Sequence, residues 1–164
     1  MHIVHASTVG LVLAQVYRLI GTPLAPFRGR DVRMTAHVYA TRDGTGTVWE
    51  RIYHRKNGSR TPVRSTKKII ADGRLLEIVG GGFGMDLDVF EDGGKLHFRS
   101  TSFFWGCGGF RVPLPLLLTP GVAHVIHADE SRVHGAGWFR FTMTFDHPIF
   151  GRTFLQDGLF REEE

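Results

Sequence analysis

The chain has 164 residues, 42% hydrophobic and 22% charged, which suits one soluble domain, 1–164, around a single core; only the acidic end, 162–164, reads as frayed. Lysine and arginine outnumber the acids by 20 to 16, yet they stand singly through alternating segments instead of gathering on one face, so no nucleic-acid partner is expected. The single cysteine, Cys107, excludes an internal disulfide and any multi-cysteine zinc site, and suits a reducing cytoplasmic location.

The first predicted element is a helix over about 7–20. Ser7 is a suitable N-cap, Val9, Val12, Leu13, Val16, Leu19 and Ile20 recur at steps of three and four, and Gly21 and Pro23 end the run. Its broad apolar side predicts docking onto the rest of the domain or onto a symmetry mate. With Gln15 and Arg18 inside it and no basic region before it, the segment is neither a spanning helix nor a signal peptide, and no integral-membrane role is expected.

From Arg30 the period changes to two. In RDVRMTAHVYA, Val32, Met34, Ala36 and Val38 alternate with Arg33, Thr35, His37 and Tyr39, and DGTG at 43–46 supplies a turn. TVWERIYHRK alternates again up to Asn57-Gly58, a strong hairpin signal because both central positions of that turn need positive φ. The basic run 51–68 straddles this hairpin and carries no RNA-recognition or zinc-finger signature. Turn residues recur at 72–73, 80–82, 92–94, 106–109, 135–137 and 157–158. The spacing predicts a mainly β fold: an antiparallel meander of about eight to ten strands over about 30–161, curled into a β-barrel or half-barrel to manage its edges. A barrel of that size can hold a small ligand.

One stretch breaks the pattern, FFWGCGGFRVPLPLLLTPG at 103–121. Its glycines read as a bend, and Pro113 and Pro115 forbid a central-strand position, so it is expected to be an edge or crossover. As such it would lay Leu114, Leu116, Leu117 and Leu118 over the core or a pocket, as a lid. Cys107, between glycines in apolar surroundings, reads as a packed thiol more than a nucleophile.

Nine histidines invite a metal hypothesis. On a strand, however, positions i and i+3 face opposite sides, so His124 and His127 cannot share an ion without a bulge, and no recognisable ligand spacing exists; neither metal nor cofactor is expected. The GGGFG run at 80–84 lacks the Lys-Ser/Thr ending and following helix of a phosphate loop. Strand faces are more informative. Trp49, Arg51, Tyr53 and Arg55 share one side; His97, Arg99 and Thr101 alternate with Leu96 and Phe98; Trp138, Arg140, Thr142 and Thr144 alternate with Phe139, Phe141, Met143 and Phe145. A face mixing aromatics with arginines either meets water or, if concave, binds an amphiphile, rings covering its apolar body and arginine meeting a carboxylate or phosphate. The candidate ligand-binding residues are Trp49, Arg51, Tyr53, Arg99, Trp105, Arg140 and His147.

In order along the chain, the Trp49-x-Arg51-x-Tyr53 strand, a glycine-rich hairpin region, PLPLLLTP at 113–120, an acid at Glu130 and the closing GWFRFTMTFDHPIFGRTFLQDGLF at 137–160 resemble the family named domain of unknown function 4166, from about Leu11 onward. The resemblance implies a bacterial protein. Members often form the C-terminal part of larger proteins, behind a Rossmann-type or thiol-oxidoreductase-like domain, and this chain looks like a stand-alone copy. The family supplies no established catalytic residues, so none is carried over.

Three readings of function stand. The first is a module binding a hydrophobic or amphiphilic small molecule. The second is an enzyme of cyclase or isomerase type acting on such a ligand, with His54, His97, Asp86 or Glu130 as acid or base. The third is an interaction domain that homodimerises through the helix and the 113–120 segment.

Overall fold

The computed structural model describes residues 2–19, 27–107 and 110–162. The predicted helix stop at Gly21 and Pro23, the glycines at 108 and 109, and the side chain of Cys107 lie outside the described residues. In chain order the elements are β1 His2–Ala6, α1 Thr8–Leu19, β2 Gly29–Arg30, β3 Arg33–Ala40, β4 Gly46–His54, β5 Arg60–Ile69, β6 Leu75–Gly80, β7 Phe83–Asp92, β8 Lys95–Cys107, β9 Phe110–Leu114, a 3-10 turn Leu116–Leu118, β10 Val122–Asp129, α2 Ser131–His134, β11 Trp138–His147 and β12 Gly151–Arg161.

All strands join one antiparallel sheet in the order β2-β1-β12-β11-β10-β8-β7-β6-β5-β4-β3, with β9 beside β8 off that path. Nine strands, β3–β8 and β10–β12, have six residues or more, in line with the expected meander. The sheet curls into a half-barrel. Side chains of β4 reach those of β10, β11 and β12, five or more places away along the sheet. The Tyr53 hydroxyl donates to Gln156 Oε1 at 2.6 Å, Arg51 Nη1 lies 3.6 Å from Met143 Sδ, and the Trp49 and His127 rings are 5.8 Å apart. Among the described residues β3 pairs only with β4, so side chains and not a strand ladder close the ends across the interior. Tyr53, Val63, Met85, Leu87, Phe141 and Phe154 are central to the core between them.

Two features depart from the sequence pattern. His2–Ala6 forms a strand along β12, in register from His2↔Gly158 to Ala6↔Phe154; five residues before a helix are too few to announce a period of two. The helix is capped as expected, the Ser7 hydroxyl accepting the Gly10 N–H at 3.0 Å, but it buries a different side. A Cβ at Gly10 would lie 1.9 Å from the Thr153 carbonyl oxygen, and Ala14 is only 1% exposed. Close backbone approach chose the small residues for the contact, leaving Val12 and Val16 exposed.

The 103–121 stretch is built as a fork in the sheet. Along one side β8 pairs with β7. Along the other, Lys95–Arg99 pair with β10, while Phe103–Cys107 pair with β9. Strands β9 and β10 thus form one interrupted line, and residues 115–121 leave it. Thr119 Oγ1 donates to the Leu116 carbonyl, Thr153 Oγ1 donates to the Pro120 carbonyl at 2.6 Å, and the Ser100 hydroxyl accepts the Ala123 N–H where the ladder is broken. As expected, both prolines stay off the central path. Only part of the leucine lid holds, however: Leu114 is partly buried, but Leu117 and Leu118 are 58% and 66% exposed. A 3-10 turn rotates successive residues by about 120°, so three leucines in a row cannot all face inward.

Candidate functional site: the interior groove

The concave face holds an open-mouthed groove with a cavity volume of about 60 Å³. Met85 and Leu87 from β7, Phe98 and Phe103 from β8, Val125 from β10 and Met143 from β11 give it apolar walls, and Leu114, Thr119 and Pro120 bring the interrupted segment onto it. Alternation explains most of the lining, and on β8 the register shift opposite Asp86 and Leu87 resets it so that both Phe98 and Phe103 turn inward.

Two charged side chains line the groove, Arg51 and Glu77. Glu77 stands directly opposite Lys67 in the β5–β6 register, and Lys67 Nζ lies 3.1 Å from Glu77 Oε1. Lys67 also sits 4.6 Å from the Trp49 ring centroid, a cation–π distance. Burial holds the Lys67 ammonium below its ordinary pKa, against the opposing pull of Glu77. Burial pushes the Glu77 carboxyl up, but the positive charges of Lys67 and Arg51 help to hold it below the ordinary value on balance. Next to this pair His127 is enclosed by the rings of Trp49, Phe98, Phe139 and Phe141 at 5.1–5.9 Å. Burial, and secondarily Lys67, push its pKa down to about 4, so the imidazole is uncharged at neutral pH.

The candidate residues from the sequence separate into three groups. Arg51 lines the groove; Trp49 and Tyr53 flank it on the same face of β4. At the edges, Trp105 is 38% exposed and donates Nε1–H to the Gly81 carbonyl, while His147 is buried under the 115–121 segment. There His147 Nδ1 accepts the Ile149 and Phe150 amides, leaving Nε2 to donate to the Leu117 carbonyl. Arg99 and Arg140 are exposed on the outer side, Arg140 paired with Glu130 and Asp157. None of the four candidate acids or bases lines the groove. His54 bonds Thr35, Asp86 binds Arg74 and Ser102, Glu130 binds Arg140, and His97 bonds His124 at 3.0 Å beneath Phe90. The inward titratable groups are instead Lys67, Glu77 and His127. A signal for Glu77 existed in the sequence, a lone acid inside the apolar run LLEIV. Among the described residues no three His, Cys, Asp or Glu side chains come together as a metal site, and no helix is long and apolar enough to cross a membrane.

A family model described as a domain of unknown function, DUF4166, matches residues 1–160. The chain belongs to the DUF4166 family. The match begins before the Leu11 at which the sequence resemblance starts, and it includes β1, the whole of α1 and every residue of the groove. No curated protein and no solved structure matches this DUF4166 chain.

Proposed function

We propose that the DUF4166 half-barrel binds a hydrophobic or amphiphilic small molecule in its interior groove. The observation that carries this reading is the groove itself, an open concavity walled by apolar side chains with two charged ones placed in it. Protein interiors leave few voids larger than a water molecule, and small-molecule sites are concave and apolar with a few placed polar groups. Arg51 contributes from β4, with Trp49 and Tyr53 beside it on the same strand face; Arg99 and Arg140, exposed on the outer side, are left out of it.

The test is a titration with N-phenyl-1-naphthylamine, a neutral apolar fluorophore. Saturable enhancement with the wild type, lost when Val125→Trp fills the groove, is the expected result. Enhancement that does not saturate, or that survives Val125→Trp in a folded protein, overturns the reading.

An enzyme acting on the bound molecule is favoured by one observation, the uncharged His127 imidazole held against Phe98 of the groove wall. On this reading His127→Ala abolishes turnover of the ligand and leaves its binding intact.

A further inference from the structure

Arg51 brings into the groove a charge that no carboxylate among the described residues meets directly, Glu77 being paired with Lys67. Its side chain extends from β4 to the groove wall and the residue is only 9% exposed. Its Nε is buried without a hydrogen-bond partner, and Nη1 meets the Met143 thioether at 3.6 Å, a weak acceptor. Among the described residues no ion pair includes it. Glu77 is the acid of the groove lining and two cations draw on it, Lys67 at 3.1 Å and Arg51 through its field, so with all three ionised one positive charge is left over. What remains is one guanidinium without a direct counter-ion among phenylalanine, methionine and valine side chains. A buried charge in such surroundings is costly unless a counter-charge meets it.

We propose that Arg51 is the anion-binding group of the groove, and that the ligand is a singly charged anionic amphiphile, a carboxylate on a hydrocarbon or aromatic body. The assignment rests on the binding reading above and adds the charge of the ligand to it. A guanidinium offers parallel N–H donors that match a carboxylate, and the free Nε is one of them. The charge count gives the valence. One negative charge brings the interior to neutrality; a phosphate monoester dianion would leave an excess beside Glu77, and a cationic head would add to Arg51. A neutral head would leave the guanidinium as it is.

Displacement of N-phenyl-1-naphthylamine by four ligands of one chain length tests this: decanoate, decanol, decyltrimethylammonium and, at pH 8, decyl phosphate. Decanoate is expected to compete about ten- to a hundredfold more tightly than decanol, the range of a charge-assisted hydrogen bond made in an apolar site. Decyltrimethylammonium should be the weakest, and decyl phosphate should gain nothing over decanoate. Arg51→Met should bring decanoate down to the level of decanol measured on the same variant, and raise the unfolding temperature by removing a buried charge that lacks a direct partner. Equal affinities of decanoate and decanol for the wild type overturn the role of Arg51 while the groove reading stands. Tighter binding of decyl phosphate overturns the single charge. Failure of both the fluorophore and decanol to bind overturns the groove reading and this assignment with it. The wild-type series decides the matter even if Arg51→Met does not fold.

Discussion

Glu77 governs the charge balance of the interior. It is the acid that meets Lys67, so Glu77→Gln leaves two cations, Lys67 and Arg51, in an apolar groove. Breaking a buried pair from one side costs about 3–5 kcal/mol, and urea denaturation should show a loss of that order, most of it recovered when Lys67→Met is added. His127 gives a second prediction at this scale. Its folded pKa of about 4 lies below the about 6.5 of an unfolded histidine, so as pH falls from 6.5 towards 4 the unfolded chain takes up a proton that the folded one refuses. Stability is therefore full above pH 6.5 and declines down to pH 4. The decline is up to about 2 kcal/mol once the partial exposure of the ring is allowed for, and comparing urea midpoints at pH 7 and pH 5 for wild type and His127→Leu isolates it. Alternation makes it legible that Trp49, Arg51 and Tyr53 share a face. It does not tell which face is concave: Arg140 follows the same pattern on β11, yet there the phenylalanines turn inward and the arginine outward.

The helix shows what periodicity reads and what it misses. Its start and its Ser7 cap follow from local chemistry and are legible. Its docking face depends on how near the β12 backbone comes, which no pattern of apolar residues encodes. Gly10→Ala separates the two. Helix propensity favours alanine by about 1 kcal/mol, but the new Cβ would meet the Thr153 carbonyl at 1.9 Å. The clash should win, with a net loss of about 1–3 kcal/mol in thermal or urea denaturation. Polar replacements at Val12 and Val16, both exposed, should be close to neutral in the monomer. Strand β1 was illegible for a related reason: five residues acquire their strand character from β12, not from their own sequence.

For the whole molecule, turn chemistry makes the meander legible; the hairpin lies where Asn57-Gly58 predicts it, but only Gly58 takes a positive φ, 80°. The turn is Arg55–Gly58, closed by the Gly58 N–H on the Arg55 carbonyl, and not a two-residue turn with both central φ positive. That so long a sheet must curl follows from the need to manage its edges. The groove could not be foreseen, because it arises where side chains of strands far apart in the sheet fail to fill the space between them. The Tyr53–Gln156 bond is the tie across that space, with Gln156 wholly buried. Tyr53→Phe leaves a buried amide oxygen unpaired, at about 1–3 kcal/mol. Hydrogen exchange should then quicken in β3–β5, the flap at the free end of the sheet, more than in β10–β12, which are paired on both sides.

The fork at β8 gives the wall a panel. Residues 115–121 carry Thr119 and Pro120 against the groove, yet they belong to no strand ladder, and the bonds from Thr153 and His147 pin them like latches. A panel of this kind can swing without unpicking a single rung of the sheet. On the proposed binding reading, traffic into the half-barrel is a matter for the latches and occupancy a matter for the walls. Loosening the Thr153 latch with Thr153→Val should speed both filling and emptying, with little change in how full the groove stands at equilibrium.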